Sequence, residues 1–155
     1  ACLVVRDWKT LDPALAATVI RDTDCGAPAS ARSDQAAQPR PSSVVHESTL
    51  ARQQPGPHGG PGTTTAYPLF ADAEGLSFVM RKRVLHKGAG IGLHQHHKDE
   101  IYYVLSGQGR YVLDGQVHDV GPGHAMLTRP GSTHAIEQTG EADLVLLLAY
   151  PAAVR

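Results

Sequence analysis

From residue 66 onward, the sequence is a string of short apolar segments separated by turn residues, and this pattern constrains the fold more than any other feature. The segments are rich in β-branched and aromatic side chains, and glycine, proline or aspartate marks the breaks between them. Asp114-Gly115 is a strong signal for a two-residue hairpin turn. No helical periodicity competes in this half of the chain, so the sequence predicts an all-β domain. The predicted strands cover residues 66–70, 76–86, 100–107, 110–115, 116–120, 124–130, 133–138 and 142–151.

The chain carries nine histidines, and two of them are spaced so that their side chains meet. Residues i and i+2 of a strand point to the same face, so His94 and His96 offer two imidazoles to one point in space. Glu100 opens the next apolar segment, and His134 supplies a further imidazole from elsewhere in the chain. Imidazole and carboxylate together suit divalent Mn, Fe, Co, Ni, Cu or Zn. The alternative is a set of buried histidines that only make hydrogen bonds in the core.

The same residues belong to two spaced motifs that resemble those of the cupin family. The first motif is a glycine, an HxH pair, a glutamate and a closing glycine, and the second is a glycine, a short strand, PxGxxH and commonly an asparagine. This chain departs from the second motif at Arg129, where proline is usual, and at Gln138, where asparagine is usual. The resemblance extends over residues 66–150. The matching positions are Gly88, His94, His96, Glu100 and Gly107, followed by Gly123, Pro130, Gly131, His134 and Gln138.

The resemblance implies a double-stranded β-helix, the jelly-roll or cupin barrel, with an irregular N-terminal extension. We expect the extension and linker to cover residues 1–43 and the barrel to cover residues 44–155. The barrel would hold one divalent transition metal (Fe, Mn, Zn, Ni, Co or Cu) on His94, His96, Glu100 and His134. The resemblance also implies a homodimer.

Strand parity predicts which other side chains face the same interior. If Glu100 points inward, so does Tyr102, and if His134 points inward, so does Gln138. Tyr102 and Gln138 are therefore the candidates for polar groups in a substrate pocket, although a core aromatic is an equal interpretation of Tyr102. Arg81, Lys82 and Arg83 lie on both faces of one strand, where one or two of them would bind an anionic substrate unless all three are solvated.

Two further histidines are interpreted as surface residues. His58 lies in the Gly/Pro-rich segment 52–62, which is predicted to be neither helix nor central strand, and it has no partner at ligand spacing. His97 has the opposite strand parity to His96 and should point away from the metal.

The predicted function is that of a metal-binding cupin with one barrel, acting on a small polar organic substrate that chelates the metal. Family resemblance implies oxygenase, isomerase or lyase chemistry without distinguishing them, and it leaves the catalytic residues unknown. Tyr102 is the one inward acid or base apart from the ligands, a shortage that favours oxygenase or simple binding chemistry. The alternative is a non-catalytic module that binds a metal or a small ligand.

Length and charge exclude several other classes of protein. At 155 residues the chain corresponds to one domain, and its net charge of −1 and lack of a basic patch argue against nucleic acid as a partner. No apolar run is long enough for a transmembrane segment. Cys2 and Cys25 are either a disulfide of an exported protein or two cytosolic thiols. The polar N-terminal segment, which lacks an initial methionine, favours export or the periplasm over the cytoplasm. In the same segment, Asp12-Pro13 is predicted to begin a short helix, unless residues 17–20 form a strand.

Overall fold

A computed structural model describes residues 40–152 of the chain. From Ser43 onward the chain clusters into one compact unit. The predicted helix after Asp12, the pairing of the two cysteines and nearly all of the extension 1–43 lie outside the described residues. The division between residues 43 and 44 stays a prediction.

The described residues fold into two antiparallel β-sheets that face each other as a jelly roll. One sheet has six strands in the order β1-β2-β3-β10-β5-β8, and the other has four in the order β4-β9-β6-β7. Among the described residues, the helical segments are short 3₁₀ turns at Glu47–Thr49 and Pro57–Gly59. The prediction of an all-β jelly-roll barrel is therefore confirmed. Neither helical segment is long enough to span a membrane. The strands are β1 (Arg52–Pro55), β2 (Thr63–Leu69), β3 (Phe78–Leu85), β4 (Gly90–Gln95), β5 (Glu100–Ser106), β6 (Gly109–Leu113), β7 (Gln116–Val120), β8 (Ala125–Thr128), β9 (Thr133–Gln138) and β10 (Leu144–Pro151).

The N-terminal edge of the six-stranded sheet differs from the prediction. The predicted strands begin at residue 66, whereas the edge strand comes from Arg52–Pro55, within the Gly/Pro-rich segment 52–62. This strand pairs with Thr63–Ala66 across the intervening turn. Proline is tolerated in an edge strand because no neighbouring strand requires its missing N–H. The strand is therefore stabilised by its partner, which local composition does not reveal.

The hydrophobic core lies between the two sheets and is built by strand alternation. Leu85, Val104, Tyr111, Ile136 and Leu146 are almost completely buried and come from strands of both sheets. Burial in β5 and β9 follows the predicted parity. The core therefore closes the barrel between the six-stranded and four-stranded sheets.

The apolar run at residues 144–148 is fully buried on only one of its two faces. Leu144, Leu146 and Leu148 are buried, whereas Val145 and Leu147 are only partly covered. These two side chains point to the outer face of the six-stranded sheet, which other described residues do not cover fully. An apolar run by itself does not show whether a second layer lies over its other face.

At two turns, backbone conformation and close packing explain which residues are needed there. Asp114 and Gly115 have φ values of 48° and 80° and connect β6 to β7 as the predicted tight hairpin. Gly107 has a φ of 82°, and an added Cβ atom there would overlap the backbone of Asp143. Glycine at the end of β5 therefore lets the chain turn against the start of β10.

Candidate metal centre

Four side chains from three parts of the barrel meet at one point in its interior. His94 on β4 lies directly opposite His134 on β9, because the two strands pair in that register. Glu100 begins β5 in the opposite sheet, and His96 follows the end of β4. One ligand atom from each of the four residues lies within 4.8 Å of the others. The sheets therefore assemble the cluster that the sequence spacing predicted.

In each histidine of the cluster, the Nδ1 atom of the ring lies within hydrogen-bonding distance of a neighbouring group that orients the imidazole. The Nδ1 atom of His94 donates to the carbonyl oxygen of Gly92 at 2.8 Å, and that of His96 to the carbonyl of Lys98 at 3.2 Å. Because a carbonyl only accepts, Nδ1 carries the proton in the neutral form of each ring, and Nε2 then carries the lone pair. His134 is held more firmly, since its Nδ1 atom lies 3.0 Å from the Tyr111 hydroxyl and 2.8 Å from that of Thr128.

The atoms that converge are electron-pair donors, and this composition fits a cation. The Nε2 atoms of His94 and His134 are 3.1 Å apart, and the Oε2 atom of Glu100 lies 2.9 Å from His96 Nε2 and 3.3 Å from His134 Nε2. That carboxylate oxygen is buried and has no hydrogen-bond partner within residues 40–152. Lone pairs facing one another in a low-dielectric interior repel unless a positive charge lies between them. Three imidazoles and one carboxylate are the donors that a divalent transition metal prefers.

The protein interior disfavours charge on these groups when they stand alone. Burial raises the pKa of Glu100 to about 7, although the hydrogen bond from Tyr102 and the nearby His94 oppose the rise. Burial also lowers the pKa of His134 to about 3, and the neighbouring His94 and His96 lower it further. His134 is therefore neutral at physiological pH, which is the form that binds metals.

A cavity of about 370 Å³ opens beside the cluster and is lined by two arginines, Arg81 and Arg83. Arg83 is only 5% exposed, and its guanidinium donates to Thr64 Oγ1 at 2.9 Å. In one of its two amide orientations, the side-chain oxygen of Gln54 also accepts from this guanidinium. Arg81 lies over the ring of Tyr150, at 5.6 Å from its centroid. Among the described residues, the Nε atoms of both arginines are buried without a hydrogen-bond partner.

The two predicted pocket residues occupy different places. Tyr102 is buried, lines the cavity and lies with its ring 5.1 Å from that of His134. Burial, together with the neighbouring Glu100, raises the pKa of Tyr102 well above its usual value. Gln138 also points inward, but it does not line the cavity. Its amide oxygen accepts from the backbone N–H of Gly88 and its amide nitrogen donates to the carbonyl of Ala142, so it joins two loops instead.

Several cavity residues were missed or left open by sequence reasoning. His58 is exposed, as its position in the chain predicted, but its ring stacks on that of His94. Arg81 and Arg83 both line the cavity, and the exposed His97 lies at its rim. No spacing rule connects His58 or Tyr111 with the cluster, because the contacts depend on how distant strands and loops pack.

The fold and the cluster define a class of protein: jelly-roll barrels with an imidazole and carboxylate centre inside. Residues 82–150 match the family model of the cupin domain. This part of the chain is a cupin domain.

Relatives with solved structures or curated sequences agree with this assignment. A Thermotoga maritima protein described as a predicted oxalate decarboxylase superposes with a TM-score of 0.66 at 29% identity, covering 72% of this chain and all of that one. An oxalate-binding protein of the same organism is 39% identical over 39% of this chain and 50% of its own length. A 5-nitrosalicylic acid 1,2-dioxygenase from Bradyrhizobium is 25% identical over 46% of this chain and 35% of its own length. The chain thus spans about half or less of these two curated relatives.

Proposed function

We propose that this protein holds one divalent transition metal on His94, His96, Glu100 and His134 and binds a small organic anion that chelates it. The observation that carries the proposal is a pair of arginines, the buried Arg83 and the partly buried Arg81, that line the cavity beside the cluster. A guanidinium remains charged at neutral pH, even though burial lowers the pKa of Arg83. With a divalent metal present, the single carboxylate of Glu100 leaves the cavity positive. A carboxylate-bearing ligand would balance that charge.

The chemistry of the arginines makes carboxylates the favoured ligand class. A guanidinium presents parallel N–H donors that match the two oxygens of a carboxylate. The names of the two Thermotoga relatives, which refer to oxalate, support the same class. A metal bound here would supply Lewis acidity to an oxygen-rich substrate.

Within this proposal, a small metalloenzyme of oxygenase, isomerase or lyase type remains the first candidate. The described cavity supports a non-catalytic binding module as the second candidate, for a specific reason. Tyr102 is a buried hydroxyl that lines the cavity beside the cluster, and its raised pKa keeps it protonated at neutral pH. A phenol in that state is a poor general base.

The experiment is a titration of oxalate into Co²⁺-loaded protein, followed by the visible absorption of the metal, with glycerol as the uncharged comparison. We expect oxalate to perturb the spectrum and glycerol not to. The variant Arg83→Gln should weaken oxalate binding by about tenfold or more, because it removes a buried charged donor from the cavity. Arg110→Gln is the matched control, since Arg110 is exposed on β6.

Two results would contradict the proposal: equal binding of glycerol and oxalate, or unchanged oxalate affinity in Arg83→Gln. Thermal melting of both variants excludes an effect on folding. Assaying the oxalate that remains after incubation separates the two candidates, since a binding module returns it unchanged and an enzyme acting on oxalate consumes it.

We also propose that the protein is a homodimer. The outer face of the six-stranded sheet exposes a cluster of apolar side chains for which association with a second copy is a natural use. These side chains are Ile101, Tyr103, Leu105 and Leu127. Light scattering should give twice the mass of the chain, and a monomeric mass would show the proposal to be wrong.

A further inference from the structure

His58 and the loop that carries it contact the candidate metal centre directly. The imidazoles of His58 and His94 are stacked, with their centroids 3.6 Å apart and their planes within 6° of parallel. The backbone at His58 has φ 53° and ψ 36°, a left-handed conformation that residues other than glycine rarely adopt. The surrounding structure therefore holds His58 in an unfavourable conformation, and the result is that its ring covers the face of a candidate ligand.

The loop Gly56–Gly62, here called the strap, is attached to β4 by its backbone. The N–H of Gly56 donates to the carbonyl of Gly62 at 3.0 Å, which closes the strap on itself. The N–H of Gly90 donates to the carbonyl of Pro61 at 2.9 Å, which ties the strap to the start of β4. The strap and the strand that bears His94 thus form one unit.

Glycines on both sides allow this close approach. A Cβ atom added at Gly60 would overlap the carbonyl oxygen of Gly90, and one added at Gly92 would overlap that of His58. Neither glycine has a positive φ, so space and not backbone conformation excludes a side chain. The glycine-rich composition of the strap is therefore explained by its contact with β4.

The three histidines of the cluster differ in how firmly they are held. His134 is completely buried, and two hydroxyl groups lie within hydrogen-bonding distance of its Nδ1 atom. His94 is only partly buried at the cavity, and one hydrogen bond to Gly92 fixes one of its ring atoms. A single hydrogen bond leaves the ring free to tilt about it. A second ring stacked on its face removes that freedom.

We propose that His58 is a positioning residue for the metal centre, which holds the imidazole of His94 at the tilt required for coordination. The inference rests on the proposed metal site. His58 acts through stacking and is not a fifth ligand, because a parallel ring 3.6 Å away lies beside the plane in which His94 coordinates. The strap also forms one wall of the cavity through Pro57 and His58.

Two substitutions at the same position separate stacking from the chemistry of the imidazole nitrogens. His58→Asn removes the ring and suits the left-handed backbone, since asparagine tolerates that conformation. His58→Phe restores a flat ring without nitrogens. The matched control is His118→Asn, which makes the same exchange at an exposed histidine of β7.

A third variant tests the strap without changing His58. Gly60→Ala is compatible with the backbone of that residue, which has φ −64° and ψ 156°, so the added methyl group acts only by forcing the strap away from β4. Its control is Gly121→Ala, where the nearest atom to the added methyl group is 3.8 Å away.

The measurement is the affinity of each protein for Co²⁺ by competition with a chelator, together with the visible spectrum of the bound ion. We expect His58→Asn and Gly60→Ala to bind Co²⁺ about two- to tenfold more weakly than the wild type and to alter its spectrum. The affinity of His58→Phe for Co²⁺ should stay within about twofold of the wild-type value, and both control variants should match the wild type. The melting temperature of the metal-free variants shows that the barrel itself is intact.

Other outcomes would overturn the inference in distinguishable ways. Wild-type affinity and spectrum in His58→Asn would show that the stack does not position His94. Equal losses in His58→Phe and His58→Asn would mean that a nitrogen of His58, and not its ring face, matters. Failure of the wild type to bind Co²⁺ would refute the proposed metal site, and the positioning role with it.

Discussion

Replacing His96 with alanine is expected to abolish stoichiometric metal binding. The variant loses one of four converging donors, and the remaining cluster keeps a buried carboxylate whose pKa of about 7 disfavours its charged form. Loss of a residue that hydrogen-bonds to a metal ligand costs about 10- to 100-fold in metal affinity, so loss of a donor should cost at least about 100-fold. Elemental analysis of the two purified proteins, both prepared without added metal, measures the difference.

The neighbouring His97→Ala variant is the control for this prediction. His97 is exposed and lies at the rim of the cavity, outside the four-residue cluster. The His97→Ala variant should retain the metal content of the wild type. Equal, negligible metal in all three proteins would contradict the prediction and favour a metal-free role for the cluster.

The identity of the metal directs the next assays. Iron would favour a search for oxygen consumption with candidate substrates. Zinc, manganese or nickel would favour isomerase and lyase assays, since these ions act mainly as Lewis acids and templates.

The substitution Leu146→Ala is expected to lower the free energy of unfolding by about 2–5 kcal/mol. Leu146 is completely buried in β10, between Arg83 of β3 and Val104 of β5 in the strand register. Truncation removes buried apolar surface and leaves a cavity between the sheets. A loss of this size is a large part of the stability of a typical domain.

Chemical denaturation of the metal-free protein measures this effect without a contribution from ligand binding. Leu93→Ala is the control, because Leu93 is 65% exposed and its truncation should change stability by about 0.5 kcal/mol or less. A similar small change for Leu146 would mean that the centre of β10 is not packed as the structure shows.

The second half of the chain was predictable because local pattern and tertiary environment agree there. Alternation in β5 places Glu100 and Tyr102 inward, and the structure buries both. The turn at Asp114-Gly115 depends on two residues that tolerate positive φ, so the sequence alone locates it. The segment 52–62 was harder to predict, because the strand within it depends on pairing with β2 and its 3₁₀ turn on packing against β4.

Sequence by itself determined the all-β class and the four residues of the cluster, since strand periodicity and motif spacing are local properties of the chain. Only the tertiary structure decided what surrounds the cluster: the arginine-lined cavity, the hydroxyls around His134 and the strap that brings His58 onto His94. These contacts join residues distant in sequence, and strand register and loop packing bring them together. The tertiary structure also places Gln138 at a contact between two loops and not in the expected pocket. Strand parity predicts which face of a sheet a side chain lies on, but not its position along the barrel.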